Sequence, residues 1–443
     1  MNQSNFDERR TAIHMLRSGQ TPVEVAQELH RSLAWVYKWQ GRFFEGGDWD
    51  DLRDRSRAPK RCRKKLKQEV RQAICQARSE LEAEADEPGN LSYLGAPAVQ
   101  ARLRKKKVKP LPSISSIERV LRKAGMTQPR KSAQASAIRY PHVHPTAAQQ
   151  LVQVDIVTHY LPGGPCVACF NAIDVVSRYP TGQQFLSRRS QDAADFLIQV
   201  WQELGIPLFT QVDNEACFSG GFSHPGVLGK VLRLALFVGT ELVFSPLYHP
   251  ESNGSVERFH QDYNQNVWNK FELSDLDSVR CHSPGFFEAY RHSQHHSTLA
   301  GRCPAQVQFE QACHRLPADF QLPKQLPLTA GQVHFMRRVK RDRKISLLNL
   351  EWEVPTAEPD QGVWATLKLS AHGATLRVYD AAPDAEQRIC LAEHPFPIKE
   401  PVLSLREEFQ RPFPVQLSWL GLAANFFRAA LNNQLPAWIS TML

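Results

Sequence analysis

The chain has 443 residues, 42% hydrophobic and 22% charged, too long for one core, so two to four domains are expected. No apolar run reaches the length of a membrane span, "MNQSNFDERR" lacks the apolar segment of a secretory leader, and nine scattered cysteines fit a reducing compartment better than a disulfide framework. The net charge of +9 is uneven: residues 1–150 hold 29 Lys/Arg against 16 Asp/Glu and the remainder 25 against 29, so a basic front on a slightly acidic body points to a polyanion partner.

Residues 8–45 read as three short helices. The second opens with "TPVE", where Thr21 caps, Pro22 takes the first helical position and Glu24 closes a capping box. The third follows Ser32 and carries Val36, Trp39 and Phe43 at helical spacing, leaving Tyr37, Lys38 and Arg42 outward. Two short helices on a tight turn, the second with a basic outer face, match a helix-turn-helix; the plain alternative is a generic three-helix bundle. Then "LRDRSRAPKRCRKKLK" sets nine basic residues against one acid, with Arg57, Lys60, Arg61, Lys64 and Lys65 able to track phosphates or merely solubilise a linker. A second helical unit spans 67–128, with a basic helix end around Lys105, Lys106 and Lys107 and a helix capped by Ser113. Prolines mark 129–148 as a linker.

From Gln149 the pattern becomes strand, strand, strand, helix, strand, helix, strand, helix, which predicts a mixed five-stranded sheet with helices on both faces. Asp155 interrupts the apolar strand "QLVQVDIVTHY", Asp213 ends the strand in "PLFTQVDNEACF", and Glu257 lies on the helix after "TELVFS". A buried unpaired carboxylate is expensive, and open α/β sheets place ligand sites beyond strand C-termini. Three acids on three such elements are the donors a hard divalent cation wants. Asp174 reads as a structural acid at a strand end, and the Cys166-x-x-Cys169 pair, inside a strand and without a matching pair, as packing.

"VDIV" with Asp155, "VDN" with Asp213 and "HPESNGSVERFH" with Glu257 resemble the DDE catalytic core of insertion-sequence transposases and retroviral integrases, supported by "AIDVVSRYP" and "HHSTLAGRCPAQ". The resemblance implies an RNase-H-like core at 149–310. It implies Asp155, Asp213 and Glu257 as catalytic metal ligands and Mg²⁺ or Mn²⁺ as cofactor, two ions per site. It also implies supporting roles for Asn214, Asn253 and Gly254 around the ligands, and phosphate contact or helix support from Arg258. The implied partners are double-stranded DNA, as transposon ends and target, and further copies of the chain assembled on it. No membrane is involved, and the implied place is the cytoplasm, on the nucleoid. The sequence departs from the family in Glu215, where Gly usually follows the Asp-Asn pair, and in a longer spacing of 43 residues between Asp213 and Glu257. Neither change deletes a ligand.

Residues 325–400 alternate in strand fashion and predict a small C-terminal β-barrel, with "RRVKRDRK" as a basic hairpin suited to phosphates. The expected architecture is therefore multidomain: a helix-turn-helix at 1–50, a basic linker at 51–66, the second helical DNA-binding module, the linker, the core, the barrel and a tail at 401–443. The main functional expectation is a transposase cutting and joining DNA ends. A non-catalytic DNA-binding regulator derived from one and an RNase-H-type nuclease on RNA–DNA hybrid are the alternatives.

Overall fold

A computed structural model describes residues 3–54, 66–87, 90–127, 140–220, 225–246, 250–293 and 296–410. The basic candidates Arg57, Lys60, Arg61, Lys64 and Lys65, and the tail from 411 onward, lie outside the described residues. The chain divides into two compact units, 1–66 and 67–443.

The first unit has helices α1 (Gln3–Arg17), α2 (Pro22–Glu28) and α3 (Leu33–Gly46). The expected local signals do their expected work. Thr21 and Glu24 form a reciprocal capping box on α2, Ser32 accepts from the Trp35 N–H at the start of α3, and Gly47 ends α3 in the left-handed conformation at φ 71°. Ala12, Val25, Ala26 and Val36 close one small core, and Ile13, Trp39, Phe43 and Leu52 a second beside it. Arg9 crosses beneath, donating to the Leu52 carbonyl and to Asp54.

The second unit opens with α4 (Gln68–Ala85), α5 (Ala96–Lys105) and α6 (Ile114–Lys123). Glu80 and Glu84 of α4 pair with Arg102 and Lys106 at the end of α5, which fastens the two helices and spends part of the basic cluster on the fold. The core follows as β1 (Leu151–Tyr160), β2 (Cys166–Asp174), β3 (Pro180–Phe185), α7 (Ser190–Glu203), β4 (Phe209–Val212), α8 (Ala216–Ser219), α9 (Lys230–Val238), β5 (Glu241–Phe244), α10 (Gly254–Tyr263), α11 (Leu276–His292) and α12 (Pro304–Gln308). The element order follows the one read from the sequence, with the short α8 added between β4 and α9. The helix after β5 changes pitch, α10 giving way to a π turn over Asn264–Trp268. That turn is held by the loop before α5: the Ser92 N–H donates to Asn266 Oδ1 at 2.7 Å, and Lys270 Nζ donates to the Ala85, Glu87 and Asn90 carbonyls.

The sheet is larger than predicted. After β6 (Leu328–Thr329) come β7 (Gly331–Arg338), β8 (Lys344–Leu347), β9 (Leu350–Glu353), β10 (Gly362–Ser370), β11 (Gly373–Tyr379), β12 (Cys390–Phe396) and β13 (Val402–Leu403). Four of them extend the core sheet, giving nine strands in the order β12-β11-β10-β7-β5-β4-β1-β2-β3. The expected five-stranded sheet and separate small barrel are corrected accordingly: no barrel closes among the described residues. The physical reason is the edge of β5, whose unpaired backbone groups are taken up by β7 in parallel register, Val243 opposite His334 and Phe244 opposite Phe335. Val333, Phe335 and Met336 are buried, so β7 reads as a central strand, and alternation alone does not say which edge a strand will join.

Candidate active site

The strands β1 and β4 are parallel neighbours with Val152 opposite Thr210 and Gln153 opposite Gln211. Continuing that register carries Asp155 to the level of Asp213. Side chains alternate faces along a strand, so Gln153 and Asp155 share the face on which α10 packs. Burial, then the Asp213 carboxylate, then Glu257 and Glu215 push the Asp155 carboxyl up to about 7, against a lowering hydrogen bond from the Ile156 N–H. Burial, and next among the raising causes Glu215, push Asp213 up to about 6. Two half-buried acids side by side resist ionising together, which is the state that a cation between them would relieve.

Glu257 is half-buried in the first turn of α10. What seats that turn is a buried polar network that the sequence reading missed. Gln211 Nε2 donates to Asn253 Oδ1 at 2.7 Å, to Ser245 Oγ at 2.9 Å and to the Ser252 carbonyl at 3.1 Å. Gln153 Nε2 donates to the Ser252 carbonyl at 3.0 Å, and its Oε1 accepts from the Ser255 N–H at 3.1 Å. The signal was present as Gln-x-Asp in both strands: each glutamine stands two residues before its aspartate and therefore on the same face. Arg178, at φ 62° in the turn after β2, adds a bond from Nη1 to Ser255 Oγ at 2.6 Å. On the far side of Val256, Phe259 and Tyr263 bury α10 against α11, each such side chain contributing about 2–3 kcal/mol of transfer free energy.

His260, one turn beyond Glu257, places Nδ1 3.7 Å from Asp155 Oδ2. Burial lowers this imidazole to about 4, so at neutral pH it meets Asp155 uncharged. Its Nε2 is buried without a hydrogen-bond partner among the described residues.

The supporting residues divide. Asn253 is buried and is a hub of the network. Asn214 is fixed at both ends of its amide, Nδ2 donating to the Ser245 carbonyl at 2.6 Å and Oδ1 accepting from Arg337 at 3.0 Å. Gly254 departs from expectation: it has no positive φ, and a Cβ there would meet nothing within 4 Å, so the helix start does not depend on glycine. Glu215, the extra acid, donates its N–H to Asp213 Oδ1 at 3.0 Å, while its carboxylate pairs with Arg188 at 3.3 Å. Asp174 is structural as read, accepting the N–H groups of Gln149, Val176 and Ser177. Cys169 is buried in packing, its thiol pushed up to about 12 by burial.

The DNA-contact candidates are distributed over both units. In the first, Tyr37 is 53% exposed, Lys38 is exposed beside Trp39, and Arg42 is half-buried with its guanidinium 4.9 Å from the Trp39 ring. In the second, Lys105 and Lys107 are exposed, whereas Lys106 is engaged with Glu80. Arg258 is exposed and bridges to the buried Asp262 at 3.1 Å. Among the described residues no group of three or more His, Cys, Asp or Glu side chains stands close enough to hold a metal ion, so the three acids share a field without closing into a ligand set.

Two stretches match known domain families: residues 9–72 match the winged helix-turn helix family and residues 238–304 the integrase core domain. No curated protein matches the chain. Among solved structures, the simian T-cell lymphotropic virus intasome in complex with a PP2A regulatory subunit aligns at 14% identity and a TM-score of 0.34, over 69% of this chain and 96% of that one. The HTLV-2 integrase catalytic core domain in complex with magnesium aligns at 14% identity and 0.30, over 37% and 99%, and the BIV integrase core at 18% and 0.28, over 37% and 95%. The domain matches give a winged helix-turn-helix stretch followed by an integrase-core stretch, a combination consistent with an integrase-like transposase. Among the described residues no helix is long and apolar enough to cross a membrane.

Proposed function

We propose that the chain is a DNA transposase that cuts and joins the ends of a mobile element by phosphoryl transfer at Asp155, Asp213 and Glu257. The observation that carries this reading is the pair of carboxyls on and just beyond the neighbouring parallel strands β1 and β4, both pushed up by burial and by nearby acids, Asp155 by Asp213 and by Glu257 from the first turn of α10. An all-carboxylate donor set fits Mg²⁺ or Mn²⁺, and Asp155 and Asp213, with Glu257 as third donor, would hold two such ions. When bound, the metal supplies charge for the phosphate and an activated oxygen nucleophile.

The chain's own residues do the remainder. Gln153, Gln211 and Asn253 orient the helix that carries Glu257. Arg258 beside it is exposed and paired with Asp262, a bridge it would exchange for a phosphate oxygen when DNA binds. Tyr37, Lys38 and Arg42, with the basic runs at 53–67 and 102–109, bind duplex DNA, mostly through its backbone. Water serves as nucleophile in cleavage and a DNA 3′-hydroxyl in joining, with no covalent protein–DNA intermediate. Two DNA ends imply more than one copy of the chain on them, acting in the cytoplasm.

A strand-transfer assay with the flanking DNA ends in Mg²⁺ tests the proposal, comparing wild type with Glu257→Gln. Joining by wild type and none by the variant supports it. Equal joining by both removes Glu257 from the site. Duplex binding without cleavage by wild type favours the regulator reading instead.

A further inference from the structure

We propose that Arg337 is a positioning residue for Asp213, acting through Asn214, so that the C-terminal strands are part of the catalytic apparatus. The inference rests on the reading of Asp213 as a metal ligand.

The sequence places Arg337 in a basic run and invites a phosphate-binding role. The structure turns it inward: Arg337 is 9% exposed, while its neighbour Arg338 faces out and pairs with Asp360. Its guanidinium donates from Nε to the Ser346 carbonyl at 3.1 Å, from Nη1 to the Met336 carbonyl at 2.8 Å and from Nη2 to Asn214 Oδ1 at 3.0 Å. It lies 5.2 Å from the ring of Phe335, which stacks on Phe244 of β5 at 4.8 Å. All three acceptors are neutral oxygens. Burial lowers the guanidinium only to about 10, so the group remains a cation at pH 7.

Placing an unneutralised cation in a sheet junction is costly, and an apolar side chain would join β7 to β5 more cheaply. The geometry shows what the cation does instead. β5 lies between β4 and β7, and Arg337 reaches past its C-terminal end to the turn that follows β4. There it fixes the carbonyl end of the Asn214 amide, while the Ser245 carbonyl fixes the amino end at 2.6 Å. The Ser245 N–H in turn donates to the Val212 carbonyl at 2.9 Å. Asp213 is thus flanked on both chain sides by bonds to the end of β5, and Arg337 sets the orientation of the side chain immediately after it. A guanidinium planar fork supplies three directed bonds at once, which an ammonium cannot reproduce from this position.

The test uses the full chain and Mn²⁺ alone, followed by electron paramagnetic resonance, alongside thermal melting and Mg²⁺-dependent cleavage of the DNA ends. Asn214→Ala and Arg337→Met are each expected to weaken Mn²⁺ binding about tenfold and to lower kcat by a similar factor, with KM for DNA unchanged. The double variant is expected to be no worse than either single one, since both changes remove the same link. Asn214→Ala, which opens no large cavity, carries the test if Arg337→Met does not fold. Wild-type Mn²⁺ binding and kcat in Asn214→Ala, with only the melting temperature lowered, would reduce Arg337 to a structural bond and overturn the inference, as would losses that multiply in the double variant. A wild type that binds no Mn²⁺ would sink the metal reading itself, and the inference with it.

Discussion

Asp213 directly follows β4, the parallel neighbour of the strand that carries Asp155, and after burial its carboxylate is the largest cause raising Asp155 toward 7. Without a cation the two acids oppose the fold that brings them together. Asp213→Asn should therefore raise the melting temperature in EDTA at pH 8, by on the order of 1–2 kcal/mol in stability, while abolishing the further rise that Mg²⁺ gives wild type. Paired melting curves in EDTA and in Mg²⁺ read both effects. A variant less stable than wild type in EDTA would mean that the carboxylate is held by bonds rather than strained by its neighbour.

Asp262 offers a second electrostatic test away from the acids. It is 4% exposed, and burial raises it from 3.8 to about 6 against the pull of Arg258. Between those two pH values the unfolded chain has released this proton and the folded chain retains it. The contribution of the protonated group is therefore complete below about pH 4 and lost as pH rises through 6. Asp262→Asn should match wild type near pH 4 and exceed it by about 1 kcal/mol at pH 8, after allowing for the lost contact with exposed Arg258. Urea unfolding across that range would expose the opposite trend.

The glutamine network predicts a larger cost. Gln211→Ala removes the donor shared by Asn253, Ser245 and Ser252, while Gln153 still serves the Ser252 carbonyl and Ser245 Oγ still serves Asn253, so a loss of about 2 kcal/mol is expected from the bonds removed. Because Asn253 seats the first turn of α10, cleavage at a permissive temperature should fall as well. Full activity in a merely less stable Gln211→Ala would separate the network from the placement of Glu257.

In the first unit, Lys38→Ala should weaken binding to all duplex sequences alike and lower the slope of log affinity against log salt by about 1. Tyr37→Ala should leave that slope unchanged. Titrations at several salt concentrations distinguish the two, and equal slopes for both variants would remove Lys38 from the phosphate contacts.

Several of these residues were legible in the sequence because charge in an apolar strand is conspicuous. Asp155 and Asp213 each interrupt or end such a strand, and Thr21, Glu24 and Ser32 announce helix starts by local hydrogen bonding. Gln153 and Gln211 were not read, since an uncharged amide in a strand is ambiguous between solvent and core until the neighbouring strand is known. The pairing of β7 with β5 was equally hidden: alternation identifies a strand and gives its faces, but the partner edge is decided by long-range packing. Arg337 shows the same limit. Its basic neighbours imply solvent, and only the register that sets Phe335 against Phe244 turns it toward Asn214. Gly254 takes no positive φ, so the conformational freedom of glycine goes unused at the start of α10.

The central claim is that three acids on three elements serve one metal-dependent reaction on DNA. The most direct measurement is cleavage of a labelled terminal DNA duplex by wild type and by Asp155→Asn, Asp213→Asn and Glu257→Gln, with Mg²⁺ and with EDTA. Wild type should cut only with metal, and each variant should lose on the order of a hundredfold or more in rate while still binding the duplex. Cleavage that survives any of the three substitutions at wild-type rate, or that proceeds in EDTA, would contradict the account.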